Sequence, residues 1–113
     1  MKNIGIIGQG FVGTAVNEGL AKHYHIETFD IVKDSTCNSL EELMNKCKII
    51  FLCLPTPMER NGACHLGIIE PVLQELDDFG KNIIVVKSTI PPGTTENWNK
   101  KYNNIDIVFN PEF

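Results

Sequence analysis

The sequence predicts an α/β fold in which helices cover both faces of a parallel sheet. Short apolar runs rich in Ile and Val alternate along the 113-residue chain with segments whose apolar residues have helical spacing. The apolar runs are continuous, which is typical of strands covered on both faces, and a helix between successive strands favours parallel pairing. With right-handed crossovers these features give a doubly wound sheet of about five strands.

The strands and helices follow one another along the chain. The first strand (Ile4 to Ile7) precedes a helix whose apolar face begins at Val12. Ser39 and Glu42 form a capping-box pattern at the start of a second helix, and Gly80 supplies the end of a third. A short fourth helix is expected after PPG. The remaining strands are HIETFD, KIIFLCL, NIIVVKS and IDIVF.

Composition and charge limit the classes of function. A mass of 12.7 kDa with 42% hydrophobic residues predicts one folded domain over residues 1–113. Ten Lys and Arg against 14 Asp and Glu argue against a broad nucleic-acid surface. No run resembles a signal peptide or a membrane span, so we expect a cytoplasmic protein with no membrane partner. The four cysteines form no CxxC pair and are expected to be reduced packing residues, and no metal site is predicted.

The motif GQGFVG follows the first strand and opens the first helix. It fits G-x-G-x-x-G, in which the free N–H groups of a helix N-terminus face a pyrophosphate. Gly8 would make the tight turn, Gly10 would let the ligand approach the backbone, and Gly13 would let helix and strand pack closely. Phe11 and Val12 are expected at the same pyrophosphate. The motif alone is a weak signal, because a glycine-rich turn can be only a turn.

An acid at the end of the second strand strengthens this interpretation. Asp30 lies 22 residues after Gly8, where a carboxylate would accept hydrogen bonds from the adenosine ribose hydroxyls. Its charge repels a 2′-phosphate, so NAD is the expected cofactor rather than NADP. Lys33 either lies beside the same ribose or is a solvated lysine. The site favours a Rossmann-type sheet with strand order 3-2-1-4-5 and with ligands at the carboxyl ends of the strands.

Three further polar or Pro-rich segments fall at strand ends. They are PTPM (Pro55 to Met58), STIPPGT (Ser88 to Thr94) and NPE (Asn110 to Glu112). Ordinary turn chemistry explains each one singly, but parallel strands would bring all three to one crevice. Because Pro fixes the backbone, such loops are stiff surfaces against which a flat ring or a ribose could lie.

Four segments in this order and spacing, GIIGQGFVG, CLPTPM, VKSTIPPGTT and FNPEF, resemble the NAD-binding domain of the UDP-glucose/GDP-mannose dehydrogenase family. The resemblance extends over essentially the whole chain. Members of that family oxidise the C6 alcohol of a nucleotide-linked sugar to a carboxylate with two NAD, through a thioester on a cysteine well downstream of NPEF. The resemblance therefore implies NAD as cofactor, a nucleotide-sugar substrate and a homo-oligomeric full-length enzyme.

The resemblance also assigns roles to single residues. It implies that Leu54, Pro55 and Thr56 lie along the NAD. Thr89 and Glu112 match the family's threonine and glutamate near the reacting centre, where they would hold a catalytic water and handle protons, with Thr89 also beside the cofactor. A hydroxyl and a carboxylate on rigid strand ends can orient a water in this way. A purely structural role of Thr89 in a turn is the alternative.

The chain has no positions for the family's nucleophilic cysteine, lysine and asparagine or for its sugar-binding domain. Neither Cys53, within an apolar strand, nor Cys64 has the environment of a reactive thiol. We therefore expect the NAD-binding part of a larger nucleotide-sugar 6-dehydrogenase, able to bind NAD but not to turn over. Two alternatives remain: a fragment of another β-hydroxyacid-type dehydrogenase, and a stand-alone module that senses NAD without catalysis.

Overall fold

The computed structural model describes residues 3–8, 11–30, 35–54, 67–88, 90 and 93–110, without the side chains of Phe11 and Val12. Strands and helices alternate over these residues, and every element predicted from the periodicity is present. None of the helices described is both long and apolar enough to cross a bilayer. The elements are β1 (Asn3–Ile7), α1 (Phe11–Leu20), β2 (His25–Phe29), α2 (Leu40–Lys46), β3 (Ile49–Leu52), α3 (Ile69–Phe79), β4 (Ile83–Val86), α4 (Thr94–Lys101) and β5 (Asp106–Phe109).

The sheet is parallel throughout, and its strands lie in the order β2-β1-β3-β4-β5. The predicted doubly wound class is confirmed, but the predicted strand order 3-2-1-4-5 is wrong, because β3 pairs with β1 instead of lying outside β2. The physical reason is burial. Ile50 and Leu52 of β3 are fully buried, as suits a central strand. The second strand carries His25, Glu27 and Thr28, and a polar strand is more stable at an edge.

The larger part of the hydrophobic core lies between the sheet and helices α2, α3 and α4. Leu43 of α2 lies directly over β1, where a Cβ on Gly5 would be 3.2 Å from Leu43 Cδ1 and 3.1 Å from Ile50 Cγ1. The indole N–H of Trp98 donates to Glu70 Oε2 at 2.9 Å and joins α4 to α3. The fully buried aliphatic side chains of this cluster are Leu43, Ile50, Leu52, Ile69, Leu73, Leu76, Ile84 and Val86.

The ends of α2 are fixed by side chains. Ser39 Oγ accepts the Glu42 N–H at 3.1 Å, as the capping-box pattern predicts. The Glu42 carboxylate accepts the N–H of Asn38 at 2.7 Å, one residue earlier than in a reciprocal capping box. At the other end, the buried Asn82 side chain donates to the carbonyls of Met44 and Cys47 at 3.1 and 2.5 Å. These bonds hold the end of α2 against the start of β4.

The described cysteines occupy packing positions. Cys37 and Cys47 are buried and free, and Cys53 is half-buried just after β3. Burial raises the pKa of the Cys37 thiol and raises that of Cys47 to about 11. Thiols in such environments are poor nucleophiles, which agrees with the predicted packing role. Cys64 lies outside the described residues.

A buried carboxylate lies in the middle of the edge strand β2. Glu27 is 8% exposed and lies opposite Gly5 in the β1–β2 register. It accepts hydrogen bonds from Thr36 Oγ1 at 2.8 Å and His25 Nε2 at 2.5 Å, with Lys46 Nζ at 3.9 Å. The Thr36 bond first, and the His25 bond second, lower the pKa of Glu27, while burial opposes the shift. An inward-facing charge of this kind discourages edge-to-edge strand pairing.

Replacing Glu27 tests this network. Its lowered pKa means that its contacts stabilise the fold above the ordinary value of 4.5, and that this stabilisation is lost as the pH falls through the folded-state pKa. We expect Glu27→Gln to reduce the free energy of unfolding at neutral pH by about 1–2 kcal/mol. The variant's stability should also fall less steeply than the wild type's below pH 4.5. Urea unfolding over a pH series measures both effects.

Glu75→Gln, on the exposed side of α3, is the matched control. Its free energy of unfolding should decline with falling pH as the wild type's does. A Glu27→Gln variant whose unfolding free energy follows the wild-type pH curve would contradict the assignment.

Candidate functional site

The carboxyl ends of all five strands lie at one edge of the sheet, because every neighbouring pair is parallel. The chain leaves β1 for β2 on one side and returns to β3 on the other, so the end of β1 is a topological switch point. Open α/β sheets bind ligands in the crevice at such a point. The described residues that follow the five strands are Gly8, Asp30, Cys53, Leu54, Lys87, Ser88 and Asn110.

The turn after β1 has room only for glycine. Gly8 has a φ of 93°, in the left-handed region. Its N–H donates to the carbonyl of Phe29 at 2.9 Å, and the Cys53 N–H donates to the carbonyl of Ile7 at 2.9 Å. A Cβ on Gly8 would lie 2.5 Å from the Cys53 carbonyl oxygen, nearer than real Cβ atoms approach backbone. The turn is therefore held tightly between the ends of β2 and β3.

Helix α1 packs directly on this turn. A Cβ on Gly13, in the first turn of α1, would lie 1.9 Å from the carbonyl oxygen of Gly8. The first N–H groups of a helix have no intrahelical acceptor, and here they are brought to the end of β1, where an anion can bind them. Gly8 and Gly13 thus have the turn and packing geometry predicted for them. Phe11 and Val12 form the start of α1, and Gly10 lies outside the described residues.

Asp30 lies beside the glycine turn. It follows Phe29, whose carbonyl accepts the Gly8 N–H, and it is half-buried. Its own N–H donates to Ser35 Oγ at 2.7 Å, and the Ser35 hydroxyl donates to the Asp30 carbonyl at 3.3 Å. The structure therefore brings the acid and the glycine turn together at one edge, as the spacing predicts. Ser35 was not predicted from the sequence.

Side chains also join the ends of β3, β4 and β5. The Ser88 hydroxyl donates to the carbonyl of Leu54, and Leu54 Cδ2 lies 3.4 Å from the place of a Cβ on Gly8. Lys87 Nζ donates to Asn110 Oδ1 at 3.3 Å. Leu54 is thus at the predicted edge, in contact with the turn. The polar segments that follow β4 and β5 were the sequence signal for these links, but the pairing of partners was not predictable.

Several predicted site residues lie outside the described part of the chain, and their roles stay predictions. Their described neighbours Leu54, Ser88 and Asn110 are all at the carboxyl edge. Within the described ranges, no three His, Cys, Asp or Glu side chains are grouped as metal ligands would be. The residues outside are Gly10, Lys33, Pro55, Thr56, Thr89 and Glu112.

The described residues fit a dinucleotide. The turn after β1 accommodates only glycine, the N-terminus of α1 lies against that turn, and an acid lies at the end of the adjacent strand. Together with the doubly wound sheet, these features define the class of dinucleotide-binding α/β domains.

Within that class, residues 32–113 match the model of the UDP-glucose/GDP-mannose dehydrogenase family, NAD binding domain. The chain belongs to this family, whose members are oxidoreductases, and its cofactor is NAD.

Individual relatives agree with the family match. The chain is 32% identical over 88 residues to the putative UDP-glucose 6-dehydrogenase YtcA of Bacillus subtilis, covering 70% of this chain and 21% of that protein. A UDP-glucose dehydrogenase from Pyrobaculum islandicum has the same fold, with a TM-score of 0.82 and 22% identity over 100% of this chain and 36% of that one. A 3-hydroxyisobutyrate dehydrogenase from Mycobacterium tuberculosis also has this fold, with a TM-score of 0.78 and 14% identity. That match covers 98% of this chain and 40% of that one. The chain thus spans well under half of each of these proteins.

Two alanine substitutions on α1 test the packing at the turn. Gly13→Ala places a methyl group against the Gly8 carbonyl, so we expect it to lower the free energy of unfolding by about 3 kcal/mol or more. Apart from the adjacent residues and the neighbouring backbone of α1, no atom of the described residues lies within 4 Å of a Cβ on Gly19. Gly19→Ala should therefore raise the free energy of unfolding by about 0.5–1 kcal/mol through helix propensity. Chemical unfolding measures both. Equal stability of the two variants would contradict the close approach of α1 to β1.

Proposed function

We propose that this chain is the NAD-binding part of a nucleotide-sugar 6-dehydrogenase, which oxidises the C6 alcohol of the sugar to a carboxylate with two NAD. The observation that carries the proposal is the family match over residues 32–113. Gly8 and Asp30, which precede the matched residues in the sequence, lie together at one edge of the sheet. The chain spans 21% and 36% of the two UDP-glucose dehydrogenases compared above. Substrate and reaction are therefore proposals about the whole protein.

The cofactor would lie across the carboxyl edge from β2 towards β5. The N-terminus of α1 binds the pyrophosphate, with Gly8 and Gly13 setting the path of the backbone. Asp30 accepts the adenosine ribose hydroxyls, with Lys33 beside the same ribose, and its negative charge disfavours the 2′-phosphate of NADP. The further residues proposed to contact NAD are Gly10, Phe11, Val12, Leu54, Pro55, Thr56 and Thr89.

The reacting end of the cofactor would lie at β4 and β5. When bound, NAD supplies the hydride acceptor. Thr89 follows Ser88 at the end of β4, and Glu112 is two residues beyond Asn110 at the end of β5. From these positions a hydroxyl and a carboxylate would hold a water beside the nicotinamide and transfer its protons. The contact of Lys87 with Asn110 supports a fixed spacing between the two strand ends.

The nucleophile for thioester formation would come from another domain of the larger protein. The described cysteines include two that are buried, Cys37 and Cys47, whose pKa values are raised, and thiols of this kind do not attack readily. The proposal is that this chain alone binds NAD without turnover. A homo-oligomeric full-length enzyme and a cytoplasmic location are further parts of it.

The two alternatives differ in chemistry. The fold alone is compatible with a β-hydroxyacid dehydrogenase, since a 3-hydroxyisobutyrate dehydrogenase shares it, but the family match weighs against this assignment. A stand-alone module that senses NAD would bind the cofactor equally well and would work without a substrate domain.

Calorimetric titration of the folded chain tests the cofactor site. We expect NAD to bind more tightly than NADP. Asp30→Ala should weaken NAD binding about 10- to 100-fold, the effect of losing charge-assisted hydrogen bonds, and should narrow the preference for NAD. Asp106→Ala removes an exposed carboxylate at the start of β5, at the opposite edge of the sheet, and should leave binding unchanged. A folded chain that fails to bind NAD at millimolar concentration would contradict the assignment.

Turnover is tested by following NADH absorbance. With NAD and UDP-glucose, GDP-mannose or a β-hydroxyacid, the 113-residue chain is expected to form no NADH above the blank. A longer protein, if the coding DNA past Phe113 encodes one, should oxidise a nucleotide sugar. Oxidation of hydroxyacids alone would favour the first alternative, and NADH formation by the isolated chain would disprove the need for another domain.

A further inference from the structure

The outer edge of β2 is paired by residues 35–37, through both side chains and backbone. The described sheet ends at β2, so the outward N–H and C=O groups of its alternate residues face no neighbouring strand. Residues 35–37 lie along this outer side and bond to these groups instead. The Thr28 N–H donates to Thr36 Oγ1 at 2.7 Å, the Thr36 N–H donates to Thr28 Oγ1 at 3.0 Å, and the Cys37 N–H donates to the Thr28 carbonyl at 2.9 Å. The returning chain thus acts as a partner for the carboxyl half of β2.

Ser35 extends this pairing to Asp30. Its Oγ lies 2.7 Å from the Asp30 nitrogen, whose N–H it accepts, and 3.3 Å from the Asp30 carbonyl oxygen, to which it donates. One hydroxyl therefore satisfies both backbone groups of Asp30 on the outer side of the sheet. A hydroxyl can do this because it is both donor and acceptor.

The backbone at Asp30 is consequently held from two sides. On the inner side, the carbonyl of Phe29 accepts the Gly8 N–H at 2.9 Å. On the outer side, Ser35 holds the next residue. Because side chains adopt staggered rotamers relative to the backbone, the direction of the Asp30 carboxylate relative to the glycine turn depends on these bonds.

The segment that carries Ser35 is itself anchored in the protein. Thr36 Oγ1 donates to Glu27 Oε1 at 2.8 Å, and Glu27 is 8% exposed. Cys37, the next residue, is 2% exposed and belongs to the hydrophobic core. Ser35 is thus presented to Asp30 by residues with buried partners.

We propose that Ser35 is a positioning residue for cofactor recognition. Its hydroxyl holds Asp30 in the orientation in which the carboxylate accepts the adenosine ribose hydroxyls and opposes a 2′-phosphate. This inference rests on the role proposed above for Asp30. Ser35 acts through Asp30 and needs no contact with NAD.

The test compares dissociation constants for NAD and NADP among variants of the full chain. Ser35→Ala removes both hydrogen bonds to the Asp30 backbone. It should weaken NAD binding about fivefold and change NADP binding less, so that the preference for NAD over NADP falls. Ser35→Thr keeps the hydroxyl and should restore the ratio. In an Asp30→Ala background, Ser35→Ala should have no further effect on NAD binding.

Ser39→Ala is the matched control. It removes the serine that caps α2, four residues along the chain, and should lower thermal stability while leaving the ratio of NAD to NADP affinity unchanged. Amide hydrogen exchange gives a readout without cofactor: the Asp30 amide should be protected in the wild type and exchange faster in Ser35→Ala.

The outcomes separate the two proposals. Failure of the folded wild type to bind NAD would overturn the proposed function before any variant is compared. If the wild type binds and Asp30→Ala weakens binding, an unchanged affinity ratio in Ser35→Ala would overturn the positioning role alone. So would additive effects of the two substitutions, or unchanged exchange of the Asp30 amide.

Discussion

The contact between Gly13 of α1 and the carbonyl of Gly8 is the constraint on which the site depends. A single methyl group at either glycine would meet backbone oxygen, at 1.9 Å for Gly13 and 2.5 Å for Gly8. The absence of those methyl groups lets the start of α1 lie against the end of β1. The helix N-terminus, the turn and the neighbouring strand ends are therefore all fixed by one close approach of backbone to backbone.

The strand order determines how the remaining parts of the site are supported. The first strand lies inside the sheet, between β2 and β3, so its turn is bonded on both sides by Phe29 and Cys53. The second strand lies at the end of the sheet and has a neighbouring strand on one side only. Asp30 consequently depends on the hydroxyl of Ser35, where an inner strand would depend on backbone pairing. This difference explains why side chains carry so much of the hydrogen bonding around the proposed ribose site.

Local sequence patterns predicted the helices and strands, but not which distant residues and strands pair with one another. Spacing of apolar residues located the five strands and the first three helices, the PPG turn located α4, and Ser39 caps α2 as its sequence context indicated. Periodicity identifies strands but not their neighbours, so the expected order was wrong, although the polar content of HIETF was a usable sign of an edge. The bonds of Asn82 to α2 and of Ser88 to Leu54 join residues 34 to 38 positions apart, and no local pattern specifies such partners.

Neither margin of the described sheet is left wholly open to another strand. The outer side of β2 is occupied in its carboxyl half by residues 35–37. At the far end, Val108 and Phe109 of β5 are 48% and 40% exposed, and in the described sheet β5 has β4 as its single neighbour. The outward N–H of Ile107 donates to Asn99 Oδ1, and the Ile107 carbonyl accepts from Asn99 Nδ2, both at 2.9 Å. Side chains thus occupy part of both margins, which hinders the open-ended strand pairing that leads to fibrils.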